Sequence, residues 1–298
     1  MAPPRASAIR PRGRGYYRPI RLLARRSVVQ TWSPFVASSA ARAPTEVALC
    51  RTFRALAVRT ESWLTESRRL CLVPTETAIT DLNLFELATR HPNNIRVQRF
   101  TAPVEAENGG DWEWVIGTWS VGWIRTRVQA KKLDDRGTTY PYLDHRPSAT
   151  APLQVETFFG RAGTLPAIYC FYNGRPVDPE PVPWAPSCDP TADIHGCSIA
   201  AAKQIRALVA NHDKSLASIA RLSVPWSDLV CCASDPAAAL ARIQDVLESL
   251  GTSRRQVDAQ PPDWGVSLLE RANAAEFASV EGLDGVMLID LVDEHRRG

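Results

Sequence analysis

The sequence lacks a hydrophobic run long enough to cross a membrane, and its first residues lack the apolar segment of a secretory signal. Of its 298 residues 45% are hydrophobic, yet no window approaches the roughly 18 unbroken apolar residues of a membrane span. No repeat with a period of about 20–50 residues is visible. We therefore expect a soluble chain whose nine Trp help to fill one large core or two modest ones.

Acidic residues are absent from residues 1–45, which contain nine Arg together with many Pro and Gly. The rest of the chain carries 26 basic and 32 acidic residues, a formal charge of −6. This composition favours a disordered basic arm with some transit-peptide character, or a start codon placed too early. The functional alternative is an arm that neutralises the phosphates of a nucleic acid.

CxxC motifs are absent, and the seven Cys are scattered. We therefore expect no disulfide framework, and a reducing cytoplasm fits this pattern best. Cys188, His195 and Cys197, with Cys231 or Cys232, offer soft ligands for zinc. Because the six-residue gap before His195 is not a standard knuckle spacing, buried or incidental thiols are favoured.

The apolar periodicity predicts an α/β chain. Helix-like spacing covers residues 47–70, and Thr75 is the expected N-cap of a second helix that ends before Pro92. The core elements predicted in chain order are helix 74–92, strand 95–100, strands 112–119 and 122–133, helix 153–163 and strand 165–173. Beyond a proline-rich loop at 174–198 we expect helices, a strand near 223–232 and a closing strand at 285–292.

Polar residues flank the hairpin of the two central strands. Asp111 precedes the first strand, and Gln129 and Lys131 share one face near the end of the second. Asp111 lies 11 residues before Gly122 and Lys131 nine residues after it, so a tight hairpin makes them near neighbours. Burying an unpaired amide costs roughly 2–7 kcal/mol, and a charge costs more. Oxygen donors beside an ammonium suit Mg²⁺ and a lysine that orients the attacking water.

An acid-bearing helix, a strand, G-x-D and then (E/Q)-x-K on the next strand together resemble the PD-(D/E)XK phosphodiesterases, the restriction-endonuclease-like superfamily. The matching pieces are Glu76 in TETAITDLNL, Gly109-Gly110-Asp111 and Gln129-Ala130-Lys131, within about residues 70–173. TDLNL, DWEW, VQAK and FYNG also resemble an uncharacterised bacterial group, which extends the likeness to about residue 235. The resemblance implies an α/β fold with a restriction-endonuclease-like core (α-β-β-β-α-β) and helical additions.

The resemblance also implies a catalytic site formed by Glu76, Asp111, Gln129 and Lys131. Glu76, Asp111 and Gln129 would bind Mg²⁺ or Mn²⁺, and Lys131 would position a water or stabilise charge. Gln129 stands where the family has an acid. Its carbonyl oxygen still ligates a metal, but one negative charge is lost, so the expected metal affinity is lower.

Other acidic residues compete for the same role. Asp81 and Glu86 lie on the same helix as Glu76, which we favour over Asp81 as the ligand. Glu113, between two Trp, is expected to be an exposed or paired strand residue rather than a ligand. Asn173, in FYNG, is expected to be a turn former.

Gln154, Lys132 and Arg127 are the residues expected to bind nucleic acid. The exonuclease branch of the superfamily carries Q-x-x-x-Y on the helix after the lysine, where it contacts DNA. Gln154 to Phe158 match this motif with Phe in place of Tyr, which keeps stacking and loses a hydroxyl. Lys132 and Arg127 would add positive charge nearby.

The sequence thus predicts a cytoplasmic, metal-dependent nuclease that hydrolyses phosphodiester bonds, with DNA favoured over RNA; analogy suggests bacterial defence as its role. The alternative is a catalytically weakened module of the same fold that binds nucleic acid or protein. The predicted organisation is a disordered basic arm (1–45), a nuclease-like domain (46–235) and a helical C-terminal extension (236–298).

Overall fold

A mixed β-sheet forms the centre of the part of the chain that the structure, a computed structural model, describes: residues 45–100, 112–175, 182–185, 195–231, 235–252, 257–270 and 283–291. The strands are β1 (Ile95–Arg99), β2 (Trp112–Thr118), β3 (Gly122–Lys132), β4 (Ala167–Tyr172), β5 (Cys197–Ala201), β6 (Val224–Pro225) and β7 (Gly285–Asp290). The helices are α1 (Thr45–Arg69), α2 (Glu76–Arg90), α3 (Gln154–Ala162), α4 (Ala202–Ala210), α5 (Leu216–Ala220), α6 (Pro236–Ser249) and α7 (Asp263–Glu270), with a 3-10 helix at Trp226–Leu229. This is the α/β class that the periodicity predicted.

The strand order in the sheet is β1-β7-β2-β3-β4-β5-β6. β2 and β3 form the predicted antiparallel hairpin, with Trp112 paired to Val128 and Thr118 to Gly122. Gly122 turns the chain with φ of +96°, a conformation that favours glycine. β3 and β4 run parallel, and because parallel neighbours need a crossover, α3 connects them. Element order α2-β1-β2-β3-α3-β4 is therefore present.

Both faces of the sheet are covered by helices. On one face, side chains of β2, β3 and β4 such as Trp114, Ile124 and Ile168 form one buried cluster with residues of α1, α2 and α6. On the other face, Phe158 of α3 and its neighbours from α4 and α5 pack on β4, while Leu268 of α7 packs in a separate cluster against β2 and β3. Arg125, Arg127 and Lys131 of β3 share the second face with Trp123 of one of these clusters and Leu133 of the other, and so lie between the two.

The second helix begins where its sequence predicts. Thr75 is its N-cap, and the Oγ1 of Thr75 accepts a hydrogen bond from Ala78 N at 3.1 Å. Ile79, Leu84 and Leu87 form its buried face. This register places Glu76 at the first helical position, next to the end of β3.

Two features of the C-terminal third correct the sequence interpretation. Residues 197–201, predicted as the end of the loop and the start of a helix, form strand β5 before α4 begins. The division at 235 and 236 into a domain and a helical extension is wrong, because β7 pairs with both β1 and β2 inside the sheet. Residues 1–44 of the predicted basic arm (1–45) lie outside the described residues.

Cys50 of α1 and Cys231 form a disulfide that links residues 181 apart in the sequence. The sequence predicted no disulfide framework and so missed this bond, because scattered spacing carries no information about which distant residues meet in space. Among the described helices, none has the length and apolar character to cross a membrane.

Candidate functional site

Lys131 lies near the end of β3, at the edge of the sheet where the parallel strands β3 and β4 both end. Its side chain is only 6% exposed, which rules out a solvated strand end. In a strand–helix–strand crossover the first turn of the helix returns to this same edge. Gln154, the first residue of α3, is accordingly within reach, and Lys131 Nζ donates to Gln154 Oε1 at 3.0 Å.

Glu76 approaches the same point from the first turn of α2. Its Oε2 lies 3.7 Å from Lys131 Nζ, and its Oε1 accepts a hydrogen bond from the backbone N of Lys132 at 3.1 Å. The backbone contact fixes the carboxylate against the end of β3, while about a quarter of the side chain stays exposed (26%). The structure thus brings Glu76, Lys131 and Gln154 together.

Gln129 faces the same side of β3 as Lys131, two residues earlier, and is 1% exposed. Its backbone position pairs with Tyr169 of β4. Asp111 lies outside the described residues; the next residue, Trp112, pairs with Val128, directly before Gln129. The position of Asp111 in the site stays a prediction.

Lys132 points to the opposite face of β3, and its Nζ lies 3.9 Å from Asp135 Oδ1. Burial lowers the pKa of Lys132, and the charges of Asp135 and Glu76 oppose that shift. The side chain is 15% exposed, so little of it is presented to a polymer. Its predicted contact to nucleic acid stays a prediction.

Arg127 is engaged by a buried acid. Glu113 is fully buried, and its two carboxylate oxygens lie 2.8 Å from Arg125 Nε and 3.0 Å from Arg127 Nε. Burial lowers the pKa of Arg127, and the Glu113 charge acts against that shift. Glu113 is therefore the paired strand residue that the sequence favoured, and the same pairing occupies the arginine that was expected to bind nucleic acid.

The competing acids of α2 are paired elsewhere. Asp81 forms an ion pair with Arg99 of β1, and Glu86 forms ion pairs with Arg59 and Arg90. None of these three ion pairs includes Lys131. Of the three carboxylates on this helix, Glu76 is the one that the fold brings to the end of β3.

Asn173, expected to form a turn, is buried and forms hydrogen bonds to residues of other segments. Its Oδ1 accepts a hydrogen bond from Tyr140 Oη, and its Nδ2 donates to Ser198 Oγ at 3.1 Å and to the His195 carbonyl at 2.6 Å. Burial raises the pKa of Tyr140 well above its ordinary value. The three side chains tie the ends of β4 and β5 to the segment after β3, next to the site.

The cysteines do not form a zinc site among the described residues. Cys231 is bonded to Cys50, and burial raises the pKa of the Cys197 thiol to about 12, which opposes the thiolate that a metal needs. Cys188 and Cys232 lie outside the described residues. Within the described ranges, no group of three or more His, Cys, Asp or Glu is placed to hold a metal ion.

Fold and site together define an α/β protein with a buried lysine, a carboxylate and an amide at the end of a parallel strand pair. Residues 49–294 match the model of a family of unknown function, DUF6615, and the chain belongs to that family. No curated protein and no solved structure matches the chain.

The sequence reasoning missed two contacts of the site. The first, between Gln154 and Lys131, follows from placing α3 as a crossover helix, because its first turn must return to the edge where β3 ends. The second, between Glu113 and Arg127, follows from hairpin register: counting outward from the Thr118–Gly122 pair sets these two residues opposite one another.

Proposed function

We propose that this protein is a metal-dependent nuclease that hydrolyses phosphodiester bonds in DNA. The observation that supports this most is the buried Lys131 ammonium, held at the end of two parallel strands beside the Glu76 carboxylate. A lysine side chain that is only 6% exposed is costly to bury. The buried ammonium has a function if the site binds a phosphate, because it stabilises the negative charge that develops there.

The described residues supply the type of ligand atom that a hard cation prefers. Glu76 supplies a carboxylate and Gln129 an amide oxygen, and oxygen ligands suit Mg²⁺ or Mn²⁺. Asp111, from the sequence motif, would be the third ligand. Bound there, the ion would neutralise phosphate charge and lower the pKa of a water molecule.

Lys131 would act through its N–H groups. Gln154 Oε1 accepts a hydrogen bond from Nζ at 3.0 Å and accounts for one of the three donors of an ammonium, while the Glu76 carboxylate, 3.7 Å away, adds its charge. A remaining donor is then available to a phosphate oxygen or to the attacking water. In this role Lys131 stabilises charge on the phosphate and orients the nucleophile.

Cleavage of plasmid DNA with Mg²⁺ or Mn²⁺ tests the proposal. Lys131→Met should lower the rate by about 10²–10³-fold, the usual effect of removing one preorganised donor. Asp111→Ala should act similarly. Lys214→Met is the matched control, because Lys214 pairs with Asp144 at 2.7 Å, apart from the site. Activity that survives both site variants in folded protein would remove the assigned site.

The rival proposal is a binding module with a weakened site, and Gln129 is the observation that favours it. Titration calorimetry with Mn²⁺ separates the two. The nuclease requires measurable heat, and Gln129→Glu should increase metal affinity by restoring the missing charge. Folded protein that gives no heat above background would support the binding module and contradict the nuclease.

We further propose that the element order α2-β1-β2-β3-α3-β4 is a restriction-endonuclease-like core, modified by the insertion of β7 between β1 and β2. We place the enzyme in the cytoplasm, where DNA is found. The Cys50–Cys231 disulfide weighs against this location, since reducing compartments keep thiols free.

A further inference from the structure

We propose that Gln154 is a positioning residue that holds Lys131, and that it does not contact nucleic acid. The inference rests on the proposed function, in which Lys131 acts at the phosphate. It also replaces the role that the Q-x-x-x-Y resemblance implied for Gln154.

The backbone of Gln154 is fixed from two directions. Its N–H donates to the carbonyl of His145 at 2.9 Å, and the next turn of α3 is anchored in the core by Val155 and Phe158, which are 0% and 2% exposed. A side chain that begins at such a rigid point has little freedom. The side-chain carbonyl oxygen of Gln154 accepts a hydrogen bond from Lys131 Nζ at 3.0 Å.

Lys131 needs a second acceptor because Glu76 alone does not hold it. The Glu76 carboxylate lies 3.7 Å from Nζ, which is longer than a hydrogen bond. Gln154 is nearer, and because an amide is neutral it holds the ammonium without adding negative charge beside the phosphate. This combination fixes Lys131 in position.

The residue at the aromatic position of the Q-x-x-x-Y motif is unsuited to stacking on a nucleic-acid base. Phe158, at the tyrosine position, is 2% exposed and packs edge-on against Tyr169 with ring centroids 5.4 Å apart. It fills the core beneath α3. The motif therefore lacks an exposed aromatic here, and its glutamine has a partner within the protein.

Selective acylation of lysines tests the contact without requiring turnover. The chain contains four lysines, Lys131, Lys132, Lys203 and Lys214, so each can be followed by mass spectrometry after treatment with sulfo-NHS acetate. Gln154→Leu removes the acceptor, and Gln154→Glu keeps one. Glu156→Gln is the matched control on the same helix. DNA affinity is measured in parallel by fluorescence anisotropy with Ca²⁺.

Gln154→Leu should raise the acylation rate of Lys131 about ten- to a hundredfold, the worth of one hydrogen bond to a charged group. Lys203 and Lys214 should keep their rates, and DNA affinity should not change. Gln154→Glu and Glu156→Gln should leave Lys131 protected. If Gln154→Leu does not fold, Gln154→Asn, one methylene shorter, carries the same expectation.

Unchanged Lys131 acylation in the variants lacking the acceptor, or a loss of DNA affinity with Lys131 still protected, would overturn the assignment. In an active enzyme, Gln154→Leu should lower kcat and leave KM unaltered, whereas a DNA contact would raise KM. If the wild-type protein does not cleave DNA, the proposed function fails, while the acylation rates still decide whether Gln154 holds Lys131.

Discussion

Replacing Glu113 by Gln should destabilise the fold strongly and leave the proposed Mn²⁺ binding unchanged. Glu113 is 0% exposed and neutralises both Arg125 and Arg127 on the face of the sheet between the apolar clusters. The substitution conserves shape but removes the charge. Two desolvated guanidinium groups then lose the carboxylate that neutralises them.

The magnitude follows from the exposure of the two arginines. Removing one partner of a buried ion pair costs about 3–5 kcal/mol. Arg125 and Arg127 keep 28% and 20% of their side chains exposed, so partial rehydration reduces the expected loss to about 2–4 kcal/mol. For a domain of this size that corresponds to a fall in Tm of roughly 5–15 °C.

Urea unfolding at neutral pH measures this loss, with Glu156→Gln as the control. Glu156 pairs with Arg206, and both side chains are well exposed (39% and 45%), so its replacement should cost below about 1 kcal/mol. If Glu113→Gln costs no more than Glu156→Gln, the buried pair does not stabilise the fold. Loss of Mn²⁺ binding in folded Glu113→Gln would instead make Glu113 a metal ligand.

Three further perturbations test other parts of the structure. Cys50→Ser should lower the free energy of unfolding by about 2–5 kcal/mol, because the disulfide to Cys231 closes a long loop; the melting temperature with and without reductant checks this. Tyr140→Phe removes the donor to Asn173 and should cost about 1–2 kcal/mol by urea unfolding. Asp134 has its pKa lowered: burial acts to raise it, but hydrogen bonds, foremost from the backbone of Thr138 and Thr139, outweigh that effect. The Asp134 carboxylate therefore stabilises the fold above its ordinary pKa of 3.8, and this stabilisation is lost as pH falls through the lower folded-state pKa. Asp134→Ala should differ from wild type in thermal stability at neutral pH and have the same thermal stability in acid.

Local patterns predicted most of the elements around the site. Thr75 predicts the start of α2 because it is a favourable N-cap residue. Two runs rich in Trp, Val and Ile, joined by a short corner at Gly122, predict the hairpin. These features depend on residues that are close in sequence. The choice of Glu76 as the helix acid near Lys131 came from the resemblance to the PD-(D/E)XK phosphodiesterases and not from local patterns.

Contacts between segments that are distant in the sequence were not predicted. β5 was missed because CSIAA, a run of small and apolar residues, fits a buried strand as well as a helix. The place of β7 and the Cys50–Cys231 bond depend on contacts between distant segments, which periodicity does not encode. Burial of Glu113 was missed for a related reason, since it needs the register of the opposite strand.

The position of β7 has a consequence for how the chain is made on the ribosome. β1 and β2 are synthesised early, yet the strand that separates them is formed by residues 285–290. Until that segment emerges, β1 lacks the partner it pairs with, and one side of β2 is an open strand edge. Such edges favour association between chains, so a nascent or truncated chain should depend on chaperones more than its finished form does.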